Sequence, residues 1–144
     1  MGFDWFDFGG EENEAEYIIK FRELYSEEMA TPEGFAVFGP LDDEDIKHIW
    51  RGGLNGERKF NKGRAVRISW IKEVVTKTEN RIIKTNPSNK QIYFISKKIT
   101  KGIYYVVRCR YIKSKNKLRI FTAHLVSHKQ VQEYKKWDEY VFPK

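Results

Sequence analysis

Apolar and polar residues alternate most sharply over residues 102–126, GIYYVVRCRYIKSKNKLRIFTAHLV, where two β-rich runs flank the polar linker 113–117. That arrangement predicts an antiparallel hairpin. Strand side chains change face at every residue. Ile103, Tyr105, Val107, Cys109 and Tyr111 are therefore expected on a core face together with Phe121, Ala123 and Leu125. The opposite face carries Tyr104, Val106, Arg108 and Arg110 on one strand, and Thr122 and His124 on the next. Pairing Ile112 with Leu118 sets Arg108 opposite Thr122 and Val106 opposite His124. An imidazole, a hydroxyl and a guanidinium on one open face could handle a phosphodiester. Polar alternation is equally the ordinary state of a one-sided antiparallel sheet.

Upstream the period changes to that of helices. Ile18, Phe21, Leu24, Tyr25 and Met29 predict an amphipathic helix over about 12–29, ended by Thr31-Pro32 and Gly34. Residues 35–38, FAVF, read as a short strand or a buried connector. Asp42 is the expected N-cap of a helix running to about Arg51, with Ile46, Ile49 and Trp50 as its apolar stripe and His48 off it. A basic loop follows. Residues 64–79 read as the main core helix, with Val66, Trp70 and Val74 inward and Arg64 and Arg67 on a neighbouring stripe. Strands are predicted at 81–85 and 91–96 around the Asn86-Pro87 turn. Ser127 with Gln130 forms a capping-box pattern for a last helix to about Trp137, and 140–143 reads as a final edge strand. The expected fold class is α+β: N-terminal helices, then a four-stranded antiparallel sheet with one open basic face. Residues 1–41 form an acidic helical element and 42–144 the α+β body, within one domain.

Charge sharpens this picture. The chain has 144 residues and a formal net charge of +7. Residues 1–45 hold fourteen acids and two bases, a balance of −12, and the remainder carries +19. Such segregation points to a polyanion-binding body with an acidic N-terminal element. There is no run of eighteen apolar residues, and MGFDWFDFGGEENE has no secretory signal pattern, so a cytoplasmic protein without membrane contact is expected. The single Cys109 excludes an intramolecular disulfide and reads as packing. Neither GxxxxGK[ST] nor GxGxxG is present. The acids are crowded away from the basic region, so no metal and no cofactor are expected. What remains is chemistry on RNA, whose own 2′-OH is the nucleophile, so that cleavage needs only a base, an acid and cationic stabilisation of the phosphorane.

One set of motifs resembles a known family. A helix bearing His48-Ile49 precedes Arg67-Ile68-x-Trp70-Ile71, then come Pro87, a strand with Tyr93, and a hairpin ending in Thr122-Ala123-His124. Over roughly residues 42–126 this is similar to the barnase–EndoU–colicin–RelE-like (BECR) nucleases, especially their phage-associated and polymorphic-toxin branches. The resemblance implies a metal-independent endoribonuclease of toxin type acting on RNA, tRNA among the candidates, with a cognate immunity or antitoxin protein as the accompanying partner class. It maps an early helical histidine onto His48 and a terminal-strand hydroxyl onto Thr122. Those branches more often carry tyrosine after Thr-Ala, so His124 is a departure, and either His48 or His124 is the expected base. Arg108 and Thr122 would stabilise the phosphorane. Arg51, Arg58, Lys62, Arg67, Tyr93 and Arg110 would bind substrate. The rival expectations are a nucleic-acid-binding module without catalysis and a protein-interaction domain docking through its acidic part.

Overall fold

In the computed structural model, which describes residues 4–52, 59–77 and 81–142, a short 3-10 turn (Glu11–Asn13) leads into helix α1 (Glu14–Leu24). Tyr17, Ile18 and Phe21 bury the inner face of α1 in the same apolar cluster as Ile46, Ile49 and Trp50 of α2 (Asp43–Trp50). The acidic N-terminal element is thus part of the common core. Asp42 caps α2 as its sequence predicts, its side chain accepting from Asp45 N at 2.8 Å.

The long helix expected at 64–79 is two pieces, α3 (Lys62–Ala65) and α4 (Trp70–Thr76), with a turn between them. Residues 78–80 lie outside the described chain. The physical cause of the break is Tyr25. Its hydroxyl donates to Ile68 O at 2.5 Å and accepts from Lys72 N at 3.1 Å, inserting itself into what would be an i→i+4 helical bond.

The sheet differs most from expectation. The described strands β1 (Met29–Ala30), β2 (Ala36–Phe38), β3 (Ile82–Thr85), β4 (Ile92–Ile95), β5 (Ile103–Ile112), β6 (Lys117–Ser127) and β7 (Asp138–Glu139) form one seven-stranded mixed sheet. Its order is β1-β2-β6-β5-β4-β3-β7. The expected β3–β6 antiparallel meander is its centre, but β2 runs parallel to β6 through Val37–Leu118 and Phe38–Arg119. A four-stranded antiparallel sheet is therefore not what forms. The last described edge strand is Asp138–Glu139, pairing with β3, and residues 140–142 are not a strand, while residue 143 of the expected one lies outside the described residues.

Nor is the second sheet face open as expected. Helix α5 (His128–Tyr134) crosses it, and its Val131 closes a second cluster with Tyr93, Ile95, Val106 and Val126. The Ser127–Gln130 capping box starts this helix as the sequence predicts. Cys109 is fully buried and unpaired, as packing requires.

In the hairpin, Ile112 faces Lys117 and Tyr111 faces Leu118, one residue from the predicted register. A β-bulge between the Arg108–Thr122 and Cys109–Ile120 pairs absorbs one residue, Phe121, and so restores Arg108 opposite Thr122 and Val106 opposite His124. Phe121 accordingly leaves the core face assigned to it and meets Arg108, Arg110 and His48.

Candidate anion-binding site

Strand β2 covers β6 only as far as Arg119, so among the described residues β6 has no strand neighbour on that side beyond Arg119. Helices α2 and α3 stand there instead. Thr122 Oγ1 donates to Ile49 O at 2.8 Å and ties β6 to the end of α2. Between α3 and β6 lies a cavity of about 250 Å3, lined by Asn61, Gly63, Arg64, Arg67, Tyr105, His124 and Leu125. This described lining holds two guanidinium groups and an imidazole but no carboxylate.

His124 is the titratable group of this cavity best suited to accept a proton. Its Nδ1 lies 3.1 Å from Leu125 O. A carbonyl only accepts, so in the neutral ring Nδ1 carries the proton and Nε2 keeps its lone pair. Burial, with the charges of Arg64 and Arg108 adding to it, lowers the pKa of His124 to about 4, and the Leu125 carbonyl opposes this in part. The ring is therefore uncharged at neutral pH.

Arg64 is set by its neighbours. The Asn61 side chain accepts from Arg64 N at 3.1 Å, starting α3. The guanidinium lies over Gly52, where an added Cβ would come within 2.2 Å of Arg64 Nη1. Glycine is what allows that approach. Gly52 is itself held by Gly52 N→Lys59 O at 3.0 Å, beside the Arg51–Phe60 bridge. Burial and the charge of Arg108 both lower the Arg64 pKa.

The arginines fall into two groups. Arg22, Arg51, Arg81 and Arg119 face the carboxylates of Asp43, Glu14, Glu33 and Asp45. Among the described residues, Arg64, Arg67, Arg108 and Arg110 have no carboxylate partner. These four make up an arginine track. Arg64 and Arg67 share the cavity, Arg108 is electrostatically coupled to Arg64, and Arg108 and Arg110 both lie over the Phe121 ring, at 6.0 and 3.9 Å.

The residues singled out in the sequence are thus partly brought together. His124, Arg67, Arg108 and Arg110 lie on or beside the track. His48 stacks on Phe121 at 6.2 Å and lines a separate pocket with Asp45, Arg110 and Arg119, so among the described residues the two histidines share no cavity. Thr122 is buried, and its hydroxyl is engaged with α2. Tyr93 is buried under α5 against Tyr134 and Trp137, with Arg108 over its ring at 5.1 Å. Arg51 donates to the Glu14 carboxylate from Nη2 at 2.6 Å and from Nε at 2.9 Å, while Trp50 Nε1 donates to the same carboxylate at 2.8 Å. Lys62 pairs with Asp7 at 3.3 Å. Arg58 lies outside the described residues. Arg64 and Asn61 line the cavity and were not among the residues singled out. The three-residue spacing of Arg64 and Arg67 is a signal for Arg64 alone, since on the helix expected there it places both on one stripe. No family model, no curated protein and no solved structure matches this chain.

Proposed function

We propose that this protein binds single-stranded RNA along the arginine track and cleaves it without a metal, by attack of the 2′-OH on the adjacent phosphate. The observation that carries this reading is a neutral histidine in a cavity that also holds Arg64 and Arg67 and no described carboxylate. A phosphate in that cavity is held by Arg64 and Arg67, and the negative charge it brings beside the ring raises the basicity of His124. His124 Nε2 then takes the 2′-OH proton, the 2′-oxygen bonds to phosphorus, and the P–O5′ bond breaks, leaving a 2′,3′-cyclic phosphate. The departing 5′-oxygen takes its proton from solvent. A base that starts from a pKa of about 4 is a weak proton acceptor. Stabilisation of the pentacoordinate phosphate by the arginines therefore supplies the larger share of the acceleration.

A second reading, RNA binding without cleavage, draws on the separation of the two histidines and the engagement of the Thr122 hydroxyl, which leave His124 without an obvious acid partner. Incubating the protein with total RNA in EDTA, with end-group analysis, decides between them. Cleavage to 2′,3′-cyclic ends, lost in His124→Gln and in Arg64→Gln, is the expected result. Tight, salt-sensitive binding with intact RNA selects the second reading, and strict dependence on a divalent cation overturns the mechanism. The N-terminal docking reading gains support only if RNA is not bound at all.

A further inference from the structure

Arg67 connects the cavity to an exposed aromatic ring. Its guanidinium lies between Trp5, at 4.5 Å, and Trp70, at 5.1 Å, and Nη1 donates to Gly63 O. The two indoles meet edge to face at 6.2 Å. Trp70 is nearly buried, yet Trp5 is 58% exposed. This exposure does not come from a loose chain end, because the backbone on both sides of Trp5 is pinned. Asp4 O accepts from Ser69 Oγ at 2.6 Å and from Trp70 Nε1 at 3.0 Å, and Phe6 N donates to Val66 O at 3.1 Å. A large apolar ring is thus held in place, exposed to water, next to a cation that lines the anion cavity.

We infer that Trp5 is a nucleobase-stacking subsite, which holds an unpaired base next to the phosphate gripped by Arg64 and Arg67. This rests on the RNA reading above and adds the base-binding part of the same site. The chemistry favours it on two counts. An indole face is a sequence-tolerant platform for any base, and the guanidinium beneath it fixes where the ring sits. A base already paired in a duplex cannot lie flat on it, so the subsite selects single strands.

The test is binding of two 2′-O-methylated pentamers, which cannot be cleaved: a uridine pentamer and an abasic pentamer of the same charge. Trp5→Ala and Trp5→Leu are expected to weaken the uridine pentamer about tenfold, with less than about a twofold effect on the abasic one. Trp5→Phe, which keeps a ring, is expected to stay within about threefold of the parent on both. Thermal melting checks that each variant is folded, and the Leu–Phe pair decides the matter should the alanine variant be unstable. Equal losses on both ligands, or no loss on either, overturn the stacking subsite while leaving RNA binding standing. If the unsubstituted protein binds neither pentamer, the RNA reading falls and the subsite with it.

Discussion

His124 is kept uncharged by its position, and this has a measurable cost in acid. The unfolded chain takes up a proton on this ring near 6.5, the folded one only near 4. Between those values the unfolded state binds more protons, so stability falls as pH falls through that window, by up to about 3 kcal/mol. Above 6.5 the ring contributes no pH dependence, and below 4 its loss is complete. Chemical denaturation at pH 7 and pH 4.5 should show a smaller drop for His124→Gln than for the parent. Equal drops would mean the ring is freely hydrated. Single residues were legible where chemistry alone identified them. His124, Arg108 and Arg110 stood out as polar groups on an alternating strand. Arg51 and Arg67 did not differ in the sequence, and only the fold gives Glu14 to the one and two tryptophans to the other.

Among the elements, α5 depends on its first turn. Ser127 accepts from Gln130 N at 3.3 Å, and Gln130 Oε1 accepts from Ser127 N at 2.9 Å. Ser127→Ala should lower stability by about 1 kcal/mol, read as a shifted denaturation midpoint with an unchanged slope. Because Val131 then closes less firmly on Tyr93 and Val106, hydrogen exchange should rise first in β4 and β5. An unchanged midpoint would show that tertiary contacts alone hold α5. Such caps could be read from the sequence because they are local. The α3–α4 break could not, since the hydroxyl that causes it belongs to Tyr25, over forty residues away. The parallel β2–β6 pair was hidden for the same reason. Two residues of contact leave no periodic trace in FAVF, and the helices-before-strands order argued the other way.

In the molecule as a whole, the opposite charges of the two chain segments meet. Asp7, Glu14, Glu28, Glu33 and Asp45 pair with Lys62, Arg51, Lys117, Arg81 and Arg119 of the basic segment. This cross-pairing engages five of the basic residues, and Arg64, Arg67, Arg108 and Arg110 are among the described cations that it leaves without a carboxylate. Sequence asymmetry indicated a polyanion partner. Which cations stay available for it depends on contacts that charge counts do not contain. Replacing Glu12, Glu16, Glu23 and Glu27 by Gln removes acids that make none of these cross-segment pairs. The fold should persist, RNA affinity at low salt should rise, and the gain should shrink as ionic strength increases. Affinity independent of salt in parent and variant alike would remove the electrostatic basis of the RNA reading.

The bulge at Phe121 bears on how this strand could tolerate change. With Cys109 facing Ile120 and Arg108 facing Thr122, the ladder would run without interruption if Phe121 were simply deleted. Leu118, Ile120, Ala123 and Leu125 would keep one face throughout. Pairing and core therefore give no reason for the chain to carry this residue. Its ring instead touches Arg108, Arg110 and His48. In an insertion-and-deletion scan, position 121 should be a place where shortening the chain spares folding and disturbs the arrangement of the cations around it.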